Sequence, residues 1–140
     1  MNDWLMRLRF PLAALWFGGL VAVAAIGAPS AFAVVPEKML AAALASRMFH
    51  LVALLGAGCA GALLLVERQR ATSIARSGGL LLVAGALALD IIGEFGVVPR
   101  LLAAAASGAA DAGRWHIAAS AVYLAQTACV LAYVWKLSAR

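Results

Sequence analysis

The chain has 140 residues, 66% of them hydrophobic and only 12% charged, with a net charge of +5. Soluble globular chains are about 45–50% apolar and about 25% charged, so this composition excludes an ordinary soluble domain. It implies one all-α integral membrane domain over residues 1–140. The basic residues cluster at the ends of apolar runs, not along a stripe with interleaved aromatics, which argues against a nucleic-acid partner and for a lipid bilayer.

Arg7 and Arg9 precede the first apolar run, and Pro11 suits the first turn of a helix, where its missing N–H costs nothing. A first helix is expected over 11–35, kinked by Pro29 near its far end. The basic head and Ala31-Phe32-Ala33 also fit a cleaved signal peptide. The run is longer than the usual signal core of about 7–15 residues, which favours a retained helix. Val35-Pro36-Glu37-Lys38 reads as a turn.

The second helix is expected over 39–66, with Gly56, Gly58 and Gly61 as packing positions, because small residues let helices approach closely in lipid. Glu67 to Arg76 reads as a basic loop. The third helix is expected over 77–98, with Gly78, Gly79, Gly85 and Gly93 at contacts and Pro99 ending it. Arg100 to Gly113 reads as a loop or a short surface helix, and the fourth helix is expected over 114–135.

Orientation follows from basic residues. Arg7, Arg9, Arg68, Arg70, Arg76, Lys136 and Arg140 mark one side, while Lys38, Arg100 and Arg114 mark the other. Seven against three puts both termini in the cytoplasm of a multi-pass inner (plasma) membrane protein. Trp4, Trp16, Trp115 and Trp135 fall near helix ends, where indoles prefer the interface. Cys59 and Cys129 lie among small apolar residues and read as packing residues. The Gly/Ala-rich faces fit a homo-oligomer or a partner membrane protein.

Charged groups inside membrane-length helices usually face the bundle interior and a partner. Arg47 and His50, three apart, share a helix face, as do Asp90 and Glu94, four apart. With Arg114 and His116 at the start of the fourth helix, these six residues are expected to form one polar cluster near the outer face. In it Arg47 pairs with Glu94 or Asp90, and His50 with Asp90. Such a cluster serves as a structural ion-pair network, an ion or proton path, or a ligand pocket. No cofactor is expected, although His50 and His116 are candidate haem ligands, and His50, Asp90, Glu94 and His116 candidate metal ligands. Ser120 and Tyr123 read as local or interhelix hydrogen-bonding positions. No phosphate loop or nucleophile elbow is present, so a non-enzymatic role is favoured: a small transporter-like unit, or a structural and interaction protein.

Several short motifs carry a resemblance. Leu15-Trp16-Phe17-Gly18-Gly19, Ala28-Pro29-Ser30-Ala31-Phe32, Val35-Pro36 and Arg47-Met48-Phe49-His50 resemble the bacterial four-helix membrane family filed as domain of unknown function 4149, related to animal transmembrane protein 205. Pro99-Arg100, Trp115-His116 and Ser120 also look similar to it. That family often carries Asn one turn after its Ser, where this chain has Tyr123. The resemblance implies a fold and a membrane location, and no activity. A looser resemblance to the copper-resistance D family and to membrane-bound protoporphyrinogen oxidases implies the alternative, a haem- or metal-binding membrane redox protein.

Overall fold

The computed structural model describes residues 3–70 and 77–139. Part of the expected second loop, including Arg76, and the terminal Arg140 lie outside the described residues. Four helices, α1 (Trp4–Val34), α2 (Lys38–Arg70), α3 (Gly78–Ser107) and α4 (Ala112–Ser138), are each long and apolar enough to cross a membrane. Among the described residues there is no strand. Each helix packs on its sequence neighbours, and α1 also packs on α4, closing an up-down ring. Both ends of the described chain therefore lie at the same end of the bundle.

Short connections set this topology. Val35, extended at φ −87° and ψ 114°, ends α1 because the following Pro36 disfavours helical geometry there. Ser77 caps α3, its hydroxyl accepting from the Leu80 amide at 3.4 Å. At the other end of α3, Gly108 takes the left-handed conformation at φ 64°. There the Ala109 amide reaches back to the Ala104 carbonyl at 2.9 Å, the Schellman arrangement that satisfies terminal carbonyls. The hairpin into α4 is tied further by Asp111, which accepts from Trp115 Nε1 at 3.1 Å. The Arg100 guanidinium lies 5.6 Å from the Trp115 ring centroid.

Both proline-bearing helices run on past their prolines. In α1 a π-helical segment, Val23–Gly27, precedes Pro29. In α3 the π segment Ile92–Val97 precedes Pro99. Proline lacks an N–H and its ring crowds the carbonyl four residues back. A wider turn relieves that crowding without ending the helix. The sequence predicts that Pro99 ends the third helix, with a loop or a short surface helix from Arg100. Instead α3 continues to Ser107, and the Arg100 side chain donates to the Gly96 carbonyl at 2.5 Å.

The core is a column of Ala13, Trp16, Leu20, Val52, Cys59, Leu63, Val83 and Tyr133, with Ala60 and Ala86 where backbones approach. Cys59 is buried in this column, Cys129 is half-buried, and both are free thiols. Trp16 is a correction to the interfacial reading: it is buried at the centre, with the Gly56 backbone against its indole Nε1. A side chain at position 56 would collide with that ring. Trp4 and Trp135 are exposed, as an interfacial role requires.

The glycines divide by helical phase. Gly56, Cys59, Ala60 and Leu63 follow the i, i+3, i+4, i+7 spacing of one buried stripe on α2. Gly58 is two residues, roughly 200°, around the helix from Gly56. A Cβ at Gly58, Gly61 or Gly85 would meet nothing within 4 Å, so the expectation that these three pack against other helices is corrected. Gly79 and Gly93 do sit at contacts, against Glu67 and Val122. Gly56→Leu should therefore overpack the Trp16 contact, typically at a cost of about 1–3 kcal/mol. Gly58→Leu should leave stability nearly unchanged. Thermal unfolding of the two variants in detergent checks this, and equal effects would contradict the packing.

Candidate functional site

The polar side chains inside the bundle form three stations at successive depths. The first lies at the end shared by the two chain termini. Arg9 of α1 forms an ion pair with Glu67 of α2. Tyr133 of α4 donates to Glu67 Oε1 at 2.8 Å. Arg9 Nε donates to the Tyr133 hydroxyl at 3.4 Å, and its guanidinium lies 6.0 Å from that ring's centroid. Arg70 adds a longer contact to Glu67 Oε1 at 3.7 Å. On α3, Gly79 leaves the room that the Glu67 carboxylate occupies. All three principal side chains are buried.

This station was not legible as a site. From sequence alone Arg9 reads as a surface charge of the basic head, and Glu67 as a loop residue after a helix ending at position 66. The helix instead runs to Arg70. Glu67 stands four residues beyond Leu63 and seven beyond Ala60, so it continues the buried stripe. A lone acid followed by three arginines (Arg68, Arg70 and Arg76), on the phase of the core stripe, was the available signal.

The second station is near mid-depth. Asp90 of α3 is buried and accepts from Gln126 Nε2 of α4 at 2.9 Å. The Tyr123 hydroxyl donates to the Leu20 carbonyl at 2.7 Å, joining α4 to α1 just before its π segment. Phe49 meets the Tyr123 ring edge-on at 5.2 Å between centroids. Tyr123 thus makes the expected interhelix bond, whereas Ser120 is exposed.

The third station is the His50–Glu94 pair between α2 and α3, with His50 Nδ1 hydrogen-bonded to Glu94 Oε1. It lies about 25 Å along α2 from Glu67, at about 1.5 Å per residue. The side chains are 40% and 19% exposed, against 9% and 3% for Arg9 and Glu67, so this pair opens to the bundle surface while the first is sealed.

The six residues expected to cluster therefore separate. His50 and Glu94 come together, and Asp90 lies one turn from Glu94 on α3. The expected pairing of Arg47 with Glu94 or Asp90 is corrected: Arg47 is exposed, and among the described residues no ion pair involves it. The helical phase explains this, since His50 and not Arg47 is turned toward α3. Gln126, not His50, is the partner of Asp90. Arg114 and His116 are exposed in the first two turns of α4. Among the described residues no three His, Cys, Asp or Glu side chains converge as a metal-binding group. His50 and Glu94 supply two donors, and His50 already spends Nδ1 on the carboxylate.

The arrangement is a multi-pass helical bundle with ionisable pairs inside it and no nucleophile–base constellation among the pairs described. The family described as Domain of unknown function (DUF4149) matches residues 12–110, and the chain belongs to it. The match takes in α1 from its third turn, all of α2 and α3, and most of the connection that follows. No curated protein and no solved structure is detectably similar.

The stations make opposite predictions for two arginines. Replacing one member of a buried pair leaves an uncompensated charge, which commonly costs about 3–5 kcal/mol. Arg9→Leu should cost that much in detergent unfolding, whereas Arg47→Leu, on the surface, should stay within about 0.5 kcal/mol. The reverse order would contradict the placement of both.

Proposed function

We propose that the protein is a non-enzymatic, small transporter-like unit that exchanges a proton or small cation through the polar groups at the outer half of the bundle. The observation that carries this reading is Asp90. It is a buried carboxyl at mid-depth whose described partner is a neutral amide, and it lies one turn below the half-exposed His50–Glu94 pair. Intramembrane acids and histidines of this kind commonly mark ion and proton paths. The π segment Ile92–Val97 sits between Asp90 and the outer end of α3, and such segments recur at functional sites. The sealed Arg9–Glu67–Tyr133 station supports a different role for the other end, as a structural lock.

The same reading places the chain in the plasma (inner) membrane with both termini cytoplasmic. With Arg9 assigned to the bundle interior, six basic residues (Arg7, Arg68, Arg70, Arg76, Lys136 and Arg140) still oppose three (Lys38, Arg100 and Arg114). The first-helix motifs also support kinship with animal transmembrane protein 205. Beyond the bilayer, a second copy or another membrane protein is accommodated where Gly58 and Gly61 leave the α2 surface bare.

Proteoliposomes loaded with a pH-sensitive dye test the exchange reading. Under an imposed membrane potential, the protein should acidify or alkalinise the lumen faster than empty vesicles do. Asp90→Asn should return the rate to that of empty vesicles while the variant still unfolds cooperatively. Tested with protons and then with sodium and potassium gradients, a wild-type rate equal to that of empty vesicles in every case would overturn the proposal.

A further inference from the structure

We propose that the outer half of the α1–α2 face binds an anionic glycerophospholipid, with the phosphate on Arg47 and one acyl chain in the groove beneath it. The groove has a volume of about 300 Å³ and opens sideways from the bundle. Its α2 wall is Met48, Leu51 and Leu55, and its α1 wall is Gly19, Ala22 and Val23. Every lining residue is apolar, so a hydrocarbon chain and not a polar solute fits it.

Three observations converge on the occupant. The first is depth. Arg47 is twenty residues from Glu67 along one helix, about 30 Å, which matches the thickness of a bilayer's hydrocarbon core. With the Arg9–Glu67 pair at one boundary, Arg47 falls at the other, at the level of lipid phosphates. The second is register. Arg47 precedes Leu51 by four residues, so it stands directly above the α2 wall of the groove. From Arg47 down to Leu55 the groove descends about 12 Å into acyl-chain depth. The third is the helix geometry. Val23 begins the π segment of α1, and Gly27 at its end lies against Met48 at the top of the α2 wall. The absence of side chains at Gly19 and Gly27 lets α1 approach α2 while the widened turn leaves the groove between them.

The charge selects the lipid. Arg47 is exposed, and its planar guanidinium suits two-pronged contact with phosphate oxygens. A phosphatidylcholine offers the same phosphate with a cation attached, whereas phosphatidylglycerol carries a net negative charge. Lys38, Arg100 and Arg114, expected on the same side, add to the attraction.

The test uses the full chain in detergent, titrated with dioleoyl phosphatidylglycerol and read by native mass spectrometry. Parallel titrations use dioleoyl phosphatidylcholine and inorganic phosphate. Phosphatidylglycerol should bind more tightly than phosphatidylcholine, and inorganic phosphate should not displace it. Arg47→Gln should weaken phosphatidylglycerol about tenfold, the effect of losing one charge-assisted contact, and abolish the preference over phosphatidylcholine. Ala22→Phe, which fills the groove from an exposed position, should weaken both lipids. Unchanged phosphatidylglycerol binding in Arg47→Gln, unchanged binding of both lipids in Ala22→Phe, or full displacement by inorganic phosphate would each overturn the proposal.

Discussion

The Arg9–Glu67–Tyr133 station is the interaction on which the rest of the bundle depends. It joins α1, α2 and α4, and the space at Gly79 admits α3 to the same level. Lipid supplies no hydrophobic drive for helix association, so packing and polar contacts must fix which helices meet and in what register. A carboxylate shared by a guanidinium and a phenol does this with direction as well as energy. Once Glu67 is placed, the rigid rise of α2 places Trp16 against Gly56, then His50 beside Glu94, then Arg47 about 30 Å from Glu67 along the helix. The buried pair need not be the most stable solution, because an apolar replacement of equal shape often serves as well. Its distinctive contribution is register.

Two prolines shape what lies above that lock. Pro29 and Pro99 each follow a π segment, and each helix continues to its full length. The widened turn in α1 borders the lateral groove, and that in α3 begins two residues after Asp90 and contains Glu94. The Arg9–Glu67–Tyr133 station is sealed, whereas the opposite half holds both π turns, the surface-open ion pair and the groove. Whatever the protein exchanges or binds, its structure concentrates the adaptable backbone there.

The sequence made the four spans legible because predominantly apolar runs of twenty or more residues have few other readings. Counting residues along antiparallel neighbours also brought Arg47 level with Glu94 and Asp90 to within a turn, and His50 beside Asp90, whereas the structure pairs His50 with Glu94. What it could not give was rotation about each helix axis. Arg47 and His50 are only three positions apart, yet one is exposed and the other reaches α3, because a three-residue step spans roughly 300° and not a full turn. Gly56 and Gly58 were indistinguishable as small residues until the buried stripe fixed their phase. Arg9 and Glu67 escaped because charges at the ends of apolar runs ordinarily belong to the interface. Pro99 misled for a different reason: the rule that proline ends a helix assumes α spacing, and the π turn removes that assumption.

Whether the pairing of Arg9 with Glu67 sets the register of the bundle is tested directly by a double-mutant cycle. Unfolding in detergent is measured for the wild type, Arg9→Met, Glu67→Leu and the double variant. Each single change is expected to cost more than the double change does relative to either single, with a coupling energy of about 0.5–3 kcal/mol, and the double variant should recover part of the loss. Strict additivity would mean that the two charges do not sense each other, and the lock from which the other depths are reckoned would not exist.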